Sequence, residues 1–297
     1  MAALGKRKII AECRKGVVTR RSNSTQPNHE LSENRIPTTK SSVMVEPIGH
    51  DSNLILQIAE NIYAWLVAEE EREVAGNFLC NWDLTKKNNH LKRLLVYIDG
   101  ASQLPVAYQW GGLIHSGILQ VREDMRGKGI GAKLLARRIA EAYRKNECIL
   151  LIQCQPASPI PFWKKMGFTL LGQSSQHYAY RILELKFPLP ENSQLVNVVI
   201  RFYPEELLWD KSAKPYICFS PSAAVTQDGV VHLSERVAFF EVLYIENLLR
   251  DVVVEIEVNG EVLFCDKAKR ETAKALGLKR CENGYFIDKI QPLPIER

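Results

Sequence analysis

No apolar run in this 297-residue sequence approaches the ~18–20 residues that a bilayer span requires, so no transmembrane helix and no membrane partner are expected. The opening stretch, MAALGKRKIIAECRKGVVTRR, lacks the apolar segment of a secretory signal. It is basic enough for a transit peptide, but Glu12 and the want of a clear amphipathic period argue against one. The seven cysteines are odd in number, widely spaced and contain no CxxC pair, which points to reduced structural thiols in a cytoplasmic protein with no metal site. No Cys, His and Asp fall at the spacing of a nucleophilic triad, so acyl-enzyme chemistry is not supported. A uniformly basic nucleic-acid coat is also missing, because the net charge of +5 is unevenly divided. Residues 1–40 carry nine Lys/Arg against three Glu, residues 41–189 carry 17 against 14, and residues 190–297 carry 13 against 17.

What is present reads as two globular units behind an arm. Residues 1–42 are polar and basic, with too few core-forming residues to pack, and are expected to be a disordered arm able to touch nucleic-acid phosphates. From Val43 the pattern turns globular. VMVEPI alternates like a strand, and Asp51 or Ser52 could cap the helix LILQIAENIYAWLVAEEE, with Leu54, Ile58, Ile62, Trp65 and Leu66 at helical spacing. Strands are expected at 94–98, 104–113 and 115–121, followed by a polar loop and the helix GIGAKLLARRIAEAYRK. CILLIQC (148–154) suits a strand buried on both faces, SPIPFWKKM (158–166) a short helix, and 168–172 and 177–187 two further strands. The proline-rich FPLPENS places a linker at 188–193. The remainder, 194–297, is expected to be a smaller α+β domain. Its strands include LVNVVIRFY and PYICF, then VVHLSERVAFFEVLYIENLL as strand then helix. The hairpin VVVEIEV-NG-EVLFCD turns on Asn259-Gly260, and a helix over 268–278 precedes the strand GYFIDKI.

The chemistry concentrates in 115–168. Arg126-Gly127-Lys128-Gly129-Ile130-Gly131 lies between a strand and a helix start. Three glycines in five positions allow close backbone approach, and the helix N-terminus adds free amides and a positive dipole end. Together they describe an anion site, with phosphate as guest and Arg126 and Lys128 supplying charge. A simple glycine-rich helix cap is the plain alternative. Gly127-x-Gly129-x-x-Ala132 also imitates a dinucleotide fingerprint, with Glu147 20 residues on. That fingerprint needs its glycines directly after the strand and the acid at the end of the next one, and neither holds here.

LQVREDMRGKGIGAKLL resembles motif A of the GNAT superfamily of N-acetyltransferases, Arg/Gln-x-x-Gly-x-Gly/Ala, through Arg126, Gly129 and Gly131. IPFWKKMGF (160–168) resembles the family's motif B, IPFYEKLGF. The resemblance covers about residues 43–187 and leaves the arm and the C-terminal third unrecognised. It implies a mixed-sheet α/β fold with splayed central strands and acetyl-CoA, or another acyl-CoA, as donor. It further implies that the Arg126–Gly131 amides hold the pyrophosphate, and that the Leu119-Gln120-Val121 strand pairs the pantetheine arm through main-chain groups of Leu119 and Val121. The acceptor would be an amine, small molecule or protein, attacking the thioester directly. A second copy of the chain is a candidate homodimer partner.

The resemblance departs at Trp163, where many members carry the tyrosine that protonates the leaving thiolate. An indole N–H is too weak an acid for that task. Water or another group could protonate the thiolate, Tyr178 or Tyr180 could substitute, or the domain could bind CoA as a sensor without catalysis. The expected base is His115, eleven residues before Arg126, an offset shared with a proton-handling histidine of arylalkylamine N-acetyltransferases. A solvent-facing turn histidine is the alternative. Alternation puts His115, Gly117, Leu119 and Val121 on one face. Glu123 and Asp124 are expected to be solvated, and Cys148 and Cys154 to share a core-facing side of their strand. Acceptor contacts would come from about 55–90 and 172–182, where EEERE (69–73) could either attract a cationic amine or be a solvated helix end.

Overall fold

A computed structural model of the chain describes residues 41–45, 52–82, 94–113, 117–154, 156–171, 178–244 and 251–292. Residues 1–40, Asp51 and His115 lie outside the described residues, so the arm up to residue 40, one of the two proposed caps and the expected base do too.

The first sheet runs β1 (Val43–Val45), β2 (Leu94–Ile98), β3 (Pro105–Trp110), β4 (Ile118–Val121), each antiparallel to the next. β2 is apolar throughout because helices cover both of its faces. Alternation sends Leu94 and Val96 towards α1 (Ser52–Glu71), where Ile58, Ile62, Trp65 and Leu66 form the matching stripe. Leu95 and Tyr97 face α2 (Ile130–Arg144) and meet Ile130 and Leu134.

A second, three-stranded sheet follows, with β5 (Ile149–Gln153), β6 (Thr169–Leu171) and β7 (Tyr178–Ile182) in the order β5-β7-β6. α3 (Ile160–Lys165) crosses between β5 and β6. Among the described residues β4 pairs only with β3 and β5 only with β7, so the expected splay between central strands is present. β5 does reach back to the preceding segment, where the Leu151 N–H donates to the Leu113 carbonyl at 2.8 Å.

The C-terminal part is an antiparallel half-barrel. Its strands are β8 (Gln194–Pro204), β9 (Ile217–Phe219), β10 (Ser222–Val225), β11 (Val231–Phe240), β12 (Val252–Val258), β13 (Glu261–Lys267), β14 (Lys279–Cys281) and β15 (Gly284–Ile290). They are ordered β13-β12-β8-β10-β11-β15-β14, with β9 beside β8. The helices are short: α4 (Glu241–Tyr244) and α5 (Glu271–Ala275). The strand expected in VVHLSERVAFFEVLYIENLL is β11, and its pairing with β15 shifts register between His232 and Val237. The expected Asn-Gly turn forms, with φ of 51° at Asn259 and 84° at Gly260. Phe202 and Phe239 stack at 4.4 Å in a core shared with Ile200, Leu233, Val254, Ile256 and Ile287.

Strand pairing and apolar packing both join the halves. The segment leaving β7 runs beside β11, with the Phe187 N–H donating to Ser234 and the Arg236 N–H to Leu185, each at 2.8 Å. The outer face of β5 and β7 then packs Ile149, Leu151 and Tyr180 on Ala238, Phe240 and Phe286.

Candidate functional site

The site is built where the first sheet stops. Gly127 and Gly129 hold φ of 78° and 77°, a region costly for residues with a Cβ, and space beside both is open for 4 Å. Gly129 is the left-handed N-cap of α2, and no side chain caps that helix. The first bond of α2 runs from the Lys133 N–H to the Gly129 carbonyl, so the amides of Ile130, Gly131 and Ala132 have no partner within the helix. Uncapped amides behind a glycine-rich loop are the groups that the expected anion site would use.

β4 supplies the next surface. The Arg122 N–H donates to the Val106 carbonyl at 2.8 Å, which turns the backbone groups of Arg122, Gln120 and Ile118 towards β3. By alternation Leu119 and Val121 direct theirs to the open edge, and the Val121 carbonyl there accepts Arg126 Nε at 3.1 Å. The cleft between the splayed strands has a volume of about 610 Å³. Leu119, Gln120 and Val121 line one wall, the 126–131 glycine loop closes one end, and Phe162 and Trp163 stand opposite. A long chain ending in phosphates fits this geometry: an open strand edge for its amides and a cationic, amide-rich end for its charge. Among the described residues the charged side chains lining the cleft are Arg126 and Lys165, both basic, and no His, Asp or Glu lines it.

The wall behind β4 holds a feature absent from the sequence reading. Glu69 is fully buried. Its Oε1 accepts the Glu123 N–H at 2.6 Å and its Oε2 the Gln120 side-chain amide at 3.3 Å. Gln120 Oε1 in turn accepts the Phe78 N–H at 3.1 Å and the Tyr108 hydroxyl at 3.3 Å. Burial first, and then the Glu69 charge, raise the Tyr108 phenol above its ordinary range. Glu69 continues the helical stripe Ile58, Ile62, Trp65, and that spacing was the available signal. The rest of EEERE stays exposed and outside the cleft lining.

The other expected residues fall as follows. Arg126 is tied on two sides, since its Nη1 also donates to the Ala75 carbonyl at 3.2 Å. Lys128 turns to Met125, with Nζ to Sδ at 3.2 Å, and does not line the cleft. Trp163 is buried, packs edge-on against Phe162 and Phe168 at 5.1 and 5.3 Å, and lines the cleft. Tyr180 lies on the far face of the second sheet against Phe240 at 5.0 Å, and alternation gives Tyr178 the same face. Neither lines the cleft.

Glu123 and Asp124 are exposed but paired rather than merely solvated: Glu123 with Arg72 at 3.0 Å, and Asp124 with Arg122 at 2.7 Å. The Arg122 hydrogen bond holds the Asp124 carboxyl below its usual range. The expected common side for Cys148 and Cys154 is corrected. Cys154 packs with Trp163, where burial pushes its thiol up to about 11, whereas Cys148 packs on the half-barrel side. Cys148 precedes the first residue of β5, so strand alternation does not reach it. Among the described residues no group of three His, Cys, Asp or Glu could hold a metal ion, and no helix is long and apolar enough to cross a membrane.

Two splayed antiparallel sheets with helices packed on them, and a glycine-rich helix start at the opening between them, make the mixed α/β architecture that the family resemblance implies. Residues 61–170 match the family model of the acetyltransferase (GNAT) domain and are such a domain; the C-terminal part is unassigned. No curated protein matches the chain. Among solved structures the chain is similar to a GNAT-family acetyltransferase from Staphylococcus aureus Mu50, 16% identical, with a TM-score of 0.36 over 48% of this chain and 99% of that one. It is also similar to the PaiA N-acetyltransferase from Thermoplasma acidophilum in complex with coenzyme A, 13% identical, with a TM-score of 0.37 over 48% and 99% of the two chains.

Proposed function

We propose that the chain is an N-acetyltransferase that moves an acetyl group from acetyl-CoA to a primary amine by direct attack. The observation that carries this reading is the open β4 edge leading straight to the uncapped amides of α2. In this reading the loop amides of 126–131 hold the pyrophosphate, and the backbone of Leu119 and Val121 pairs the pantetheine arm. Acetyl-CoA supplies the activated acetyl group, and the protein contributes chiefly orientation. Trp163 packs as an apolar wall beside the arm, leaving solvent to protonate the departing thiolate, whose pKa of about 8.5 makes assistance modest in value. The amine proton leaves to His115 or to water, because no carboxylate lines the cleft among the described residues. Beyond the β4 edge the acceptor would meet Phe78, Trp110 and Asn81. Glu70, Glu71 and Glu73 would attract a cationic acceptor only from the rim.

A panel of amines assayed by thiol release, with calorimetry for acetyl-CoA, tests the reading. Binding together with turnover on at least one amine supports it. Binding without turnover on any amine favours a second reading, a CoA-responsive sensor, which Trp163 and the acid-free cleft lining motivate. Absence of acetyl-CoA binding overturns both.

A further inference from the structure

We propose that Cys148 and Cys281 are a modification site: a thiol pair that closes to a reversible disulfide and locks the three-stranded sheet to the half-barrel. Their sulfurs lie 3.1 Å apart, although 133 residues separate them in sequence. The surroundings hold both in place. The Asn283 amide donates to the Ile149 carbonyl at 3.1 Å. A Cβ at Gly284 would lie 1.9 Å from the Phe239 carbonyl, so only glycine lets the start of β15 sit this close to β11, and the tip of the Ile149 side chain from β5 rests 3.0 Å from the same point. Ile149, Ala238, Phe240 and Phe286 seal the pair in apolar contact. The remaining described cysteines are placed differently: Cys80 and Cys218 are exposed, Cys265 is half-buried, and Cys154 sits in another cluster.

The two thiols are not equivalent. Cys148 donates its S–H to Cys281, and that bond lowers the Cys281 thiol below its ordinary range despite burial. Cys281 also ends a three-residue edge strand beside the exposed turn residue Glu282 and the half-buried Asn283, and it is 7% exposed where Cys148 is 0%. An oxidant therefore reaches Cys281 first when the turn opens. With hydrogen peroxide, the Cys281 thiolate sulfur attacks one oxygen and the O–O bond breaks. Hydroxide leaves and takes up a proton to become water, and Cys281 becomes a sulfenic acid. Cys148 then gives up its proton and attacks that sulfur. The S–O bond breaks, a second water leaves, and the disulfide remains. Two equivalents of a small thiol reverse the change.

The test uses the full chain treated with hydrogen peroxide, alkylated under denaturing conditions and mapped by mass spectrometry without reduction. The expected result is one peptide pair joined through Cys148 and Cys281, with the apparent Tm raised by roughly 5 °C and both effects undone by dithiothreitol. Cys148→Ser should abolish the joined peptide and the Tm rise. The proposal is overturned if exposed Cys80 and Cys218 are oxidised while Cys148 and Cys281 both remain alkylatable. It is equally overturned if either sulfur ends linked elsewhere or as an unlinked sulfinic acid. The mapping of the unmodified sequence decides this even if the variant fails to fold, and acetyl-CoA binding is not part of the readout.

Discussion

The cleft reaches β5 at Gln153, at the strand's end, whereas the seam between the halves packs on Ile149 and Leu151 of the same strand, and the two solve opposite problems. In the cleft, polar groups lack partners among the described residues: the first amides of α2 have no side-chain cap and β4 pairs on one side only. In the seam, polar groups are matched as well as buried. Arg236, 3% exposed at its side chain, makes two 2.7 Å bonds to Asp288 and lies 4.1 Å over the Phe286 ring. Unsatisfied groups beside a 610 Å³ cleft imply a ligand that completes them, whereas a satisfied and sealed interface implies permanence.

The comparison breaks first at the glycine loop. Gly129→Glu should lower acetyl-CoA affinity roughly a hundredfold or more, because a strained side chain and a carboxylate would both oppose the pyrophosphate. Isothermal calorimetry reads this directly, and retained affinity would remove the phosphate assignment. Glu69→Gln tests whether the wall behind the cleft follows the seam's rule of matched groups. It should cost about 1–3 kcal/mol in urea unfolding, since the charge-assisted bond to the Glu123 amide is lost inside the protein. Trp163→Tyr is expected to change turnover by no more than a few-fold, and a large gain would show that the missing phenol had been limiting. The smallest effect belongs to Asp124→Asn. Arg122 depresses the folded-state pKa of Asp124, so its stabilisation is present above the ordinary carboxylate range and fades as pH falls through the lowered value. The pair is exposed, so the difference between variant and parent should be only ~0.3 kcal/mol at neutral pH and vanish in acid. Thermal melts across pH measure it.

These regions also differ in how far the sequence announces them. The glycine loop, the strand that carries Leu119 and Val121 and the Asn259-Gly260 turn are contiguous, and their chemistry is written in adjacent letters. Glu69 is not legible that way. Within EEERE it reads as surface charge, and only partners 51 and 54 residues distant reveal it as an internal carboxylate. Cys148 lies one residue before β5, where strand alternation no longer sets the side that a side chain takes. The helix expected over 268–278 is shorter because the Ala268 N–H still bonds the Val252 carbonyl and Arg270 stays extended, leaving Glu271–Ala275. β10 and β14, four and three residues long, are too short to carry a periodic signal, and their existence depends on β8, β11 and β15 as templates.

The segment 185–187 has a consequence for how such a chain can be inherited or divided. It is woven into β11 before β8 begins, so the order of the gene and the order of assembly do not coincide at the midpoint. A chain ending at Phe187 would keep a strand whose partner had gone and would bare Ile149, Leu151 and Tyr180 to water. The half that carries the GNAT domain therefore cannot be borrowed alone by another gene without a replacement for that cover. Recombination would be expected to carry both halves together.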